Sequence, residues 1–596
     1  MNKEYLENLK EKVLKLKKTG EIEKILEHKT LYQRIKETCE EKPDFPAIKY
    51  FGNTITYRQL LLLIDNAAKG FNELGVKCND VITMSMLATP YGIVALYALD
   101  KLGATMHMVN SASSIDEIKR ELANYKSKMF VATDIFYGKN IREELKKVGI
   151  EKVVTTSLTD GFPMGFTTDK LKYQLINKLK GVSKKEFDGK TLISFEQLLN
   201  IGRESKKEIQ EQKFISDKKV TIAYTSGSTG LSKACSATWE GLDSMIQVMG
   251  MTELGRFEPD DVMFTTFPLW IYYSLLNMII EPLTLGVCIA LDPIFDPKEI
   301  SKRNELYGFN HWLTIPPYIK CMVKENKKID CSRWKIIITG GAELTNELKI
   351  AADNYIKKNN GTTKIQQGYG ATEMLGSFSY GYNSNPTIGS VGIPCIGNSV
   401  KILDIDTGKP LGINETGVGY LYSPARMKEY DGDIESTGHN LIKDEDGVIW
   451  YNTEDLIHQN ERGEIFLDGR IRRIALTIDS KGNPTKIIPE RTKRNILLMD
   501  EVSDCEIITV SDEKVVNKSI AFVKVKSGIL ETEELRKKIV FHCEKTIPEY
   551  MVPKDIIFIR EIPLNSSKKP DLIALEQIYL NKNEEKKSLR KRLFKK

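Results

Sequence analysis

Ten residues, Tyr224-Thr225-Ser226-Gly227-Ser228-Thr229-Gly230-Leu231-Ser232-Lys233, form the chain's densest concentration of chemically useful side chains. They follow the apolar run Val220-Thr221-Ile222-Ala223. Gly227 and Gly230 permit positive φ and close backbone approach, so consecutive N–H groups can turn toward an anion. Ser226, Ser228 and Thr229 add hydroxyl donors, and Lys233 adds a point charge suited to phosphate oxygens. A polyphosphate clamp and a flexible Gly/Ser surface loop both fit this composition. The P-loop does not: that motif is GxxxxGK followed by Ser or Thr. Here Leu231-Ser232 separate Gly230 from Lys233, and Ala234 follows the lysine.

Three further stretches could do chemistry. Gly368-Tyr369-Gly370-Ala371-Thr372-Glu373 follows a predicted strand at 364–367, where open α/β sheets bind ligands. Tyr369 can present a face to a flat base, Thr372 can donate to a phosphate, and Glu373 can hold Mg²⁺, which takes oxygen ligands. Thr453-Glu454-Asp455 offers a carboxylate able to accept two O–H bonds from a diol, although alone it reads as a turn acid. Ile562-Pro563-Leu564-Asn565-Ser566-Ser567-Lys568-Lys569-Pro570-Asp571 carries a lysine pair of the kind usually found solvated.

The elements that must position these residues alternate. From about residue 47, strand-like runs (Val81–Met86, Thr105–Val109, Met129–Val131, Val153–Thr155, Val262–Phe267, Val287–Leu291, Lys335–Thr339) are interleaved with helical patterns such as Tyr91–Lys101, closed by Gly103. This predicts a layered α/β domain with largely parallel sheets. The Lys-rich segment 159–215 reads as an insertion over the surface. After residue 385, short alternating runs between Gly and Asp turns predict a small antiparallel barrel or sandwich. Beyond Arg470 a small α+β unit follows, with strands near 505–510 and 519–525 and a helix at 531–547. Leu6, Leu9, Val13 and Leu16 predict a docked amphipathic helix at the start. The end, 581–596, reads as a disordered basic tail, with weak contact to acidic lipid as the second reading.

Composition narrows the class. At 596 residues, 41% hydrophobic and 28% charged, with a net charge of +6, the chain reads as a globular protein in which nothing demands nucleic acid. Nine scattered cysteines without a CxxC pair point to a reducing compartment and away from zinc. The charged Met1-Asn2-Lys3-Glu4 start lacks a secretory core, and Asn277, Glu281 and Pro282 interrupt the most apolar window, so the expected location is cytoplasmic.

Taken together and in order, the motifs resemble those of the adenylate-forming (AMP-binding) superfamily. That group includes acyl-CoA synthetases, peptide-synthetase adenylation domains and firefly-type luciferases. The first loop is similar to TSG-S/T-TGxPKG, departing at Ser232 and Ala234. Gly340-Gly341-Ala342-Glu343 resembles the GGA element beside adenine, and 368–373 the YGxTE motif. Thr453-Glu454-Asp455 resembles TGD, with Glu454 in place of Gly; Gly469-Arg470 matches the GR that closes the large domain. Lys569 stands at the catalytic lysine of LPxTxxGK, with departures at Lys568, Pro570 and Leu572, and Tyr550-Met551-Val552-Pro553 also fits. The resemblance runs from about residue 28 to 580. It implies an N-terminal extension (1–28), a large domain (29–470, β-rich from about 386), a mobile C-terminal domain (471–580) and the tail.

The resemblance further implies a reaction: a carboxylate attacks the α-phosphate of ATP, pyrophosphate leaves, and a thiol, usually that of CoA, displaces AMP. Lys569, Thr372 and Glu373 would be catalytic, with Mg²⁺ on Glu373. ATP would be held by Thr225, Ser226, Gly227, Ser228, Thr229, Gly230, Lys233, Gly341, Ala342, Glu343, Gly368, Tyr369, Gly370, Asp455 and Arg470, and the hinge would be Arg472. Trp270, Ile271 and Tyr273 occupy the position of the acyl pocket. Their apolar surroundings, without an evident cation or buried acid, favour a medium- to long-chain fatty acid, and bacterial long-chain acyl-CoA ligases are similar. Delivery to a carrier protein instead of CoA is one alternative. A non-catalytic nucleotide-binding relative, suggested by the motif departures, is another.

Overall fold

The computed structural model describes the whole chain apart from residues 164–167, 184–185, 226–231, 383–385, 513, 565–569 and 594–596, and apart from the side chains of 472 and 583–593. Two large sheets dominate. The first has eight strands in the order Glu429–Tyr430, Ala234–Thr238, Lys219–Tyr224, Thr105–Met108, Val81–Ser85, Ser127–Thr133, Lys152–Thr156 and Leu192–Ser194. Neighbours from Lys219–Tyr224 onward are parallel, while the two strands before it pair antiparallel. The second sheet has seven strands, parallel except for the edge hairpin Pro46–Tyr50/Asn53–Thr56. Parallel strands covered on both faces require continuous apolar runs, which Val81–Ser85, Thr105–Met108 and Cys288–Leu291 supply.

Helix ends follow local chemistry. The helix Pro90–Leu102 starts where Thr89 accepts the Gly92 N–H and Pro90 takes the first position, and it stops at Gly103, φ +71°. The initial helix, Lys3–Leu14, buries Leu6 and Leu9 against the helix Trp239–Thr252, as its spacing predicts.

Two expectations change, those for 159–215 and for the tail, while the β-rich region is antiparallel as expected. The segment 159–215 is more than a surface insertion: Leu192–Ser194 extends the first sheet, and the helix Phe195–Glu204 packs into the helix Tyr57–Glu73. Gly202 and Gly70 allow that approach, since a Cβ on Gly202 would lie 1.8 Å from the Asn66 carbonyl oxygen. The β-rich region forms a five-stranded antiparallel sheet (Ser399–Leu403, Gly417–Tyr422, Leu441–Lys443, Ile449–Gln459, Ile465–Arg470) with no closing pair among the described residues. The tail continues the helix Leu572–Leu593, anchored by buried Leu575 and Tyr579.

Beyond Arg470 come a hairpin (Ala475–Ile478, Pro484–Ile487) and a three-stranded sheet (Val502–Asp512, Val516–Val525, Asp555–Phe558), the sheet sharing a core with the helices Pro489–Leu497 and Glu533–Thr546. The apolar window near 270–291 breaks into a turn at Tyr272–Ser274, a π-helix at Leu275–Ile280 and the short helix Glu281–Thr284. No described helix is long and apolar enough to cross a membrane.

Candidate active site

The hydroxyl-glycine loop joins the antiparallel strands Lys219–Tyr224 and Ala234–Thr238. Its neck is closed twice: the Thr225 N–H donates to the Lys233 carbonyl at 2.9 Å, and the Lys233 N–H donates to Thr225 Oγ1 at 3.0 Å. Ser226, Gly227, Ser228, Thr229 and Gly230 lie outside the described residues. From this neck Lys233 extends Nζ to Ser436 Oγ at 2.7 Å, passing 4.7 Å over the Tyr430 ring.

Tyr430 in turn donates its hydroxyl to Glu373 Oε1 at 2.6 Å. Its short strand pairs antiparallel with Ala234–Thr238, while Glu373 sits in the single 3₁₀ turn Thr372–Met374 after the strand Tyr369–Ala371. The chain thus brings the loop lysine and the Thr-Glu carboxylate, far apart in sequence, to the ring and the hydroxyl of one tyrosine. The hairpin that carries Glu373 must be tight: a Cβ on Gly370 would lie 1.9 Å from the Gly376 carbonyl oxygen. Among the described residues Glu373 belongs to no cluster of three metal-ligating groups. A lone carboxylate suits Mg²⁺, which commonly takes one or two carboxylates plus substrate oxygens and water.

A second group stands on the five-stranded sheet. Asp455 and Arg470 are directly opposite across their two strands. Arg470 Nε lies 2.7 Å from Asp455 Oδ1, and Tyr369 donates to Asp455 Oδ2 at 2.6 Å. Burial first, then the Asp455 charge, pushes the Tyr369 hydroxyl well above its usual pKa, so it remains a donor. Glu454, standing where the similar motif has Gly, has φ +57°, the left-handed conformation that glycine adopts without strain.

A third group surrounds Gly340-Gly341-Ala342-Glu343. Gly341 has φ +75°, and the Ala342 carbonyl accepts from Gln367 at 3.4 Å. A Cβ on Gly340 would meet the Gly368 carbonyl oxygen and the Tyr273 hydroxyl, each at 3.7 Å. Tyr273 therefore joins the acyl candidates to the glycine turns. Its hydroxyl is buried without a hydrogen-bond partner among the described residues. Neighbouring Tyr272 instead bonds Thr221 and the Cys235 carbonyl and belongs to the core. Trp270 meets Phe136 edge-on at 5.6 Å, and Ile271 is 39% exposed.

Several residues of this region gave no sequence signal. Glu429 and Asp431 both pair with Lys219, bracing the loop hairpin, and Tyr125 donates to Asp431 at 2.9 Å. His107 sits beneath Tyr224, 2.8 Å from its hydroxyl, and burial lowers the imidazole to about 3, leaving it neutral. Ser232 donates to Glu117 at 3.2 Å; beside it, burial pushes the Glu121 carboxyl up to about 8. Glu281, 2% exposed, is a buried acid whose carboxyl burial raises well above the usual range; Asn277 lies 3.4 Å from it. Set with Ser274, Asn277 and Thr284 in a largely apolar segment, it reads in the sequence only as an interruption.

Lys569 lies outside the described residues. Its flanks are fixed: Leu564 bridges Pro570, and the Asp571 N–H donates to the Pro563 carbonyl at 2.8 Å. Arg472 is the centre of the 3₁₀ turn Ile471–Arg473. Glu343 reaches across to Lys493 at 3.8 Å.

The profile of the AMP-binding enzyme family matches residues 35–431, and that of the AMP-binding enzyme C-terminal domain matches 495–569. A probable CoA ligase of Humulus lupulus is 24% identical over 537 residues, covering 88% of each chain. A 4-coumarate–CoA ligase of Petroselinum crispum is 26% identical over 527 residues, covering 87% of this chain and 88% of the relative. ATP-bound MatB from Rhodopseudomonas palustris superposes with a TM-score of 0.77 at 20% identity, over 93% of this chain and 99% of that one, a likeness of fold.

Proposed function

The chain belongs to the AMP-binding enzyme family, and from that premise we propose that it activates a carboxylic acid with ATP and passes the acyl group to the thiol of CoA. A carboxylate oxygen attacks the α-phosphorus as the bond to the β-phosphate oxygen breaks, giving acyl-adenylate and pyrophosphate. The thiol sulfur then attacks the acyl carbon, its proton goes to solvent, and AMP leaves.

Such transfers need alignment and charge stabilisation more than covalent help from protein. In this reading Thr225, Lys233 and the loop between them hold the β- and γ-phosphates. Asp455 accepts from the ribose hydroxyls, steadied by Tyr369 and Arg470. Gly341, Ala342 and Glu343 border the base. Lys569 arrives from the C-terminal unit to pair with the carboxylate and α-phosphate oxygens, and leaves again by rotation at Arg472. A magnesium ion held by Glu373 supplies charge neutralisation when bound.

The observation that supports this reading most is the Lys233–Tyr430–Glu373 contact, in which a cation suited to phosphate and a carboxylate suited to a metal share one tyrosine. For the acid, the aromatic pairs Trp270–Phe136 and Phe267–Tyr318 support a medium- to long-chain fatty acid. The buried, unpartnered Tyr273 hydroxyl favours a second reading, an aromatic acid bearing a polar ring substituent, in keeping with the relatives named 4-coumarate–CoA ligases.

The deciding experiment is ATP-dependent AMP release over a panel of straight-chain and aromatic carboxylic acids, with and without CoA. Turnover confined to long-chain acids supports the first reading and turnover confined to aromatic acids the second. No turnover with any acid would overturn the enzyme assignment, and an adenylate that CoA does not discharge would redirect it to another acceptor.

A further inference from the structure

The helix Thr168–Lys180 is fastened on one side and bare on the other. On its inner side Asp169 pairs with Lys302 at 2.9 Å and with fully buried Arg303 at 3.0 Å. Tyr173 donates to Asp292 at 2.6 Å, and Asn177 donates to Thr159 at 3.3 Å. These contacts fix the helix, so its outer side is presented in one orientation.

That outer side carries Leu171, Leu175 and Leu179, which are 53%, 57% and 75% exposed. At a spacing of four residues they form one line about 12 Å long. Lys178 and Lys180, both exposed, lie at its end and have no ion-pair partner among the described residues. A solvated helix satisfied on its inner side does not need a leucine line outside, and an apolar line edged by lysines matches the order of acyl chains beneath anionic headgroups. The helix also packs on the turn Asp134–Phe136, whose Phe136 meets Trp270.

We propose that Thr168–Lys180 is an interfacial helix that docks the protein on an anionic lipid surface, the leucines entering the acyl region and the lysines meeting headgroups. Resting on the fatty-acid reading above, it would set the acyl candidates next to the membrane that dissolves the substrate.

The test is cosedimentation of the full-length protein with vesicles of equimolar phosphatidylcholine and phosphatidylglycerol, against pure phosphatidylcholine, without ATP or acid. Binding to the anionic vesicles should fall roughly tenfold or more in the Leu171→Ser/Leu175→Ser/Leu179→Ser variant, and Lys178→Gln/Lys180→Gln should weaken it and its salt dependence. Both variants should keep AMP release with a water-soluble acid. No binding to anionic vesicles overturns the proposal, as does binding that survives the leucine changes but fails when the basic residues of 585–596 are neutralised. Self-association abolished by the leucine changes would also overturn it, assigning the line to a second copy. Because vesicle binding is read without substrate, it stands or falls independently of which acid is activated.

Discussion

Arg470 and Arg473, three positions apart, are anchored to different sheets. Arg470 pairs with Asp455 at 2.7 Å on the five-stranded antiparallel sheet. Arg473 pairs with Glu490 and Glu506, each at 2.7 Å, and donates to the Ile507 carbonyl at 2.6 Å, on the strand Val502–Asp512. Burial alone would raise the Glu506 carboxyl, but Lys493 and Arg473 hold it below its usual range, so this anchor remains ionic. Any rotation of one sheet against the other must then be absorbed at Ile471 and Arg472.

Arg472→Pro should therefore separate the two half-reactions. Proline fixes φ near −65° and restricts the preceding residue, which stiffens the turn. ATP–pyrophosphate exchange should stay within roughly threefold of the parent, while CoA-dependent thioester formation falls about tenfold or more. Equal loss of both half-reactions would refute the hinge.

Lys569→Ala should reduce acid-dependent pyrophosphate exchange by roughly 10²–10³, the usual cost of one well-placed electrostatic contact, while ATP binding persists. Lys568→Ala should change exchange little. If the two variants exchange roles, the catalytic lysine is Lys568.

Glu454→Gly probes strain directly. A non-glycine residue at φ +57° costs about 1–2 kcal/mol, offset in part by the greater freedom of glycine in the unfolded chain. The substitution also removes the 3.2 Å pairing of Glu454 with His439, whose imidazole is largely solvent-exposed and so contributes little. The urea midpoint should hold or rise, by up to ~1 kcal/mol in stability. A fall of that size would mean that the His439 pairing outweighs the backbone strain.

Much of this was legible in the chain because local rules set it. Thr89, Pro90 and Gly103 delimit their helix by capping chemistry, and the apolar strands of the parallel sheets declare themselves by composition. Asp455 and Glu373 were singled out through motif order, and their contacts with Arg470 and Tyr430 were not. Tyr430 itself was not, because its position depends on a two-residue strand pairing with Ala234–Thr238, beside the hydroxyl-glycine loop, and such pairing leaves no local pattern. His107 and Glu281 were hidden for a related reason. Each lies within an apolar run, and whether such a residue is neutral, paired or exposed depends on neighbours from other elements.

Glu121 supplies a pH test that joins stability to ligand binding. It is 4% exposed, its Oε2 has no hydrogen-bond partner among the described residues, and burial, then the charge of Glu117, moves its carboxyl from 4.5 to about 8. The folded state thus keeps this proton to about pH 8, while the unfolded chain releases it near 4.5. The associated stability is complete below 4.5 and is lost as pH rises through about 8. Across that window the loss can approach about 1.4 kcal/mol per pH unit, and Glu121→Gln, which cannot titrate, should flatten the slope of unfolding free energy against pH. Above about 8 the parent carries a new negative charge beside Ser232, at the edge of the loop proposed to hold phosphates. The KM for ATP should then rise in the parent and stay level in the Gln variant, measured by pyrophosphate exchange on both sides of that pH. Parallel pH slopes in the two proteins, for unfolding and for KM, would show that Glu121 is ionised in the folded state and that its carboxyl contributes nothing to either.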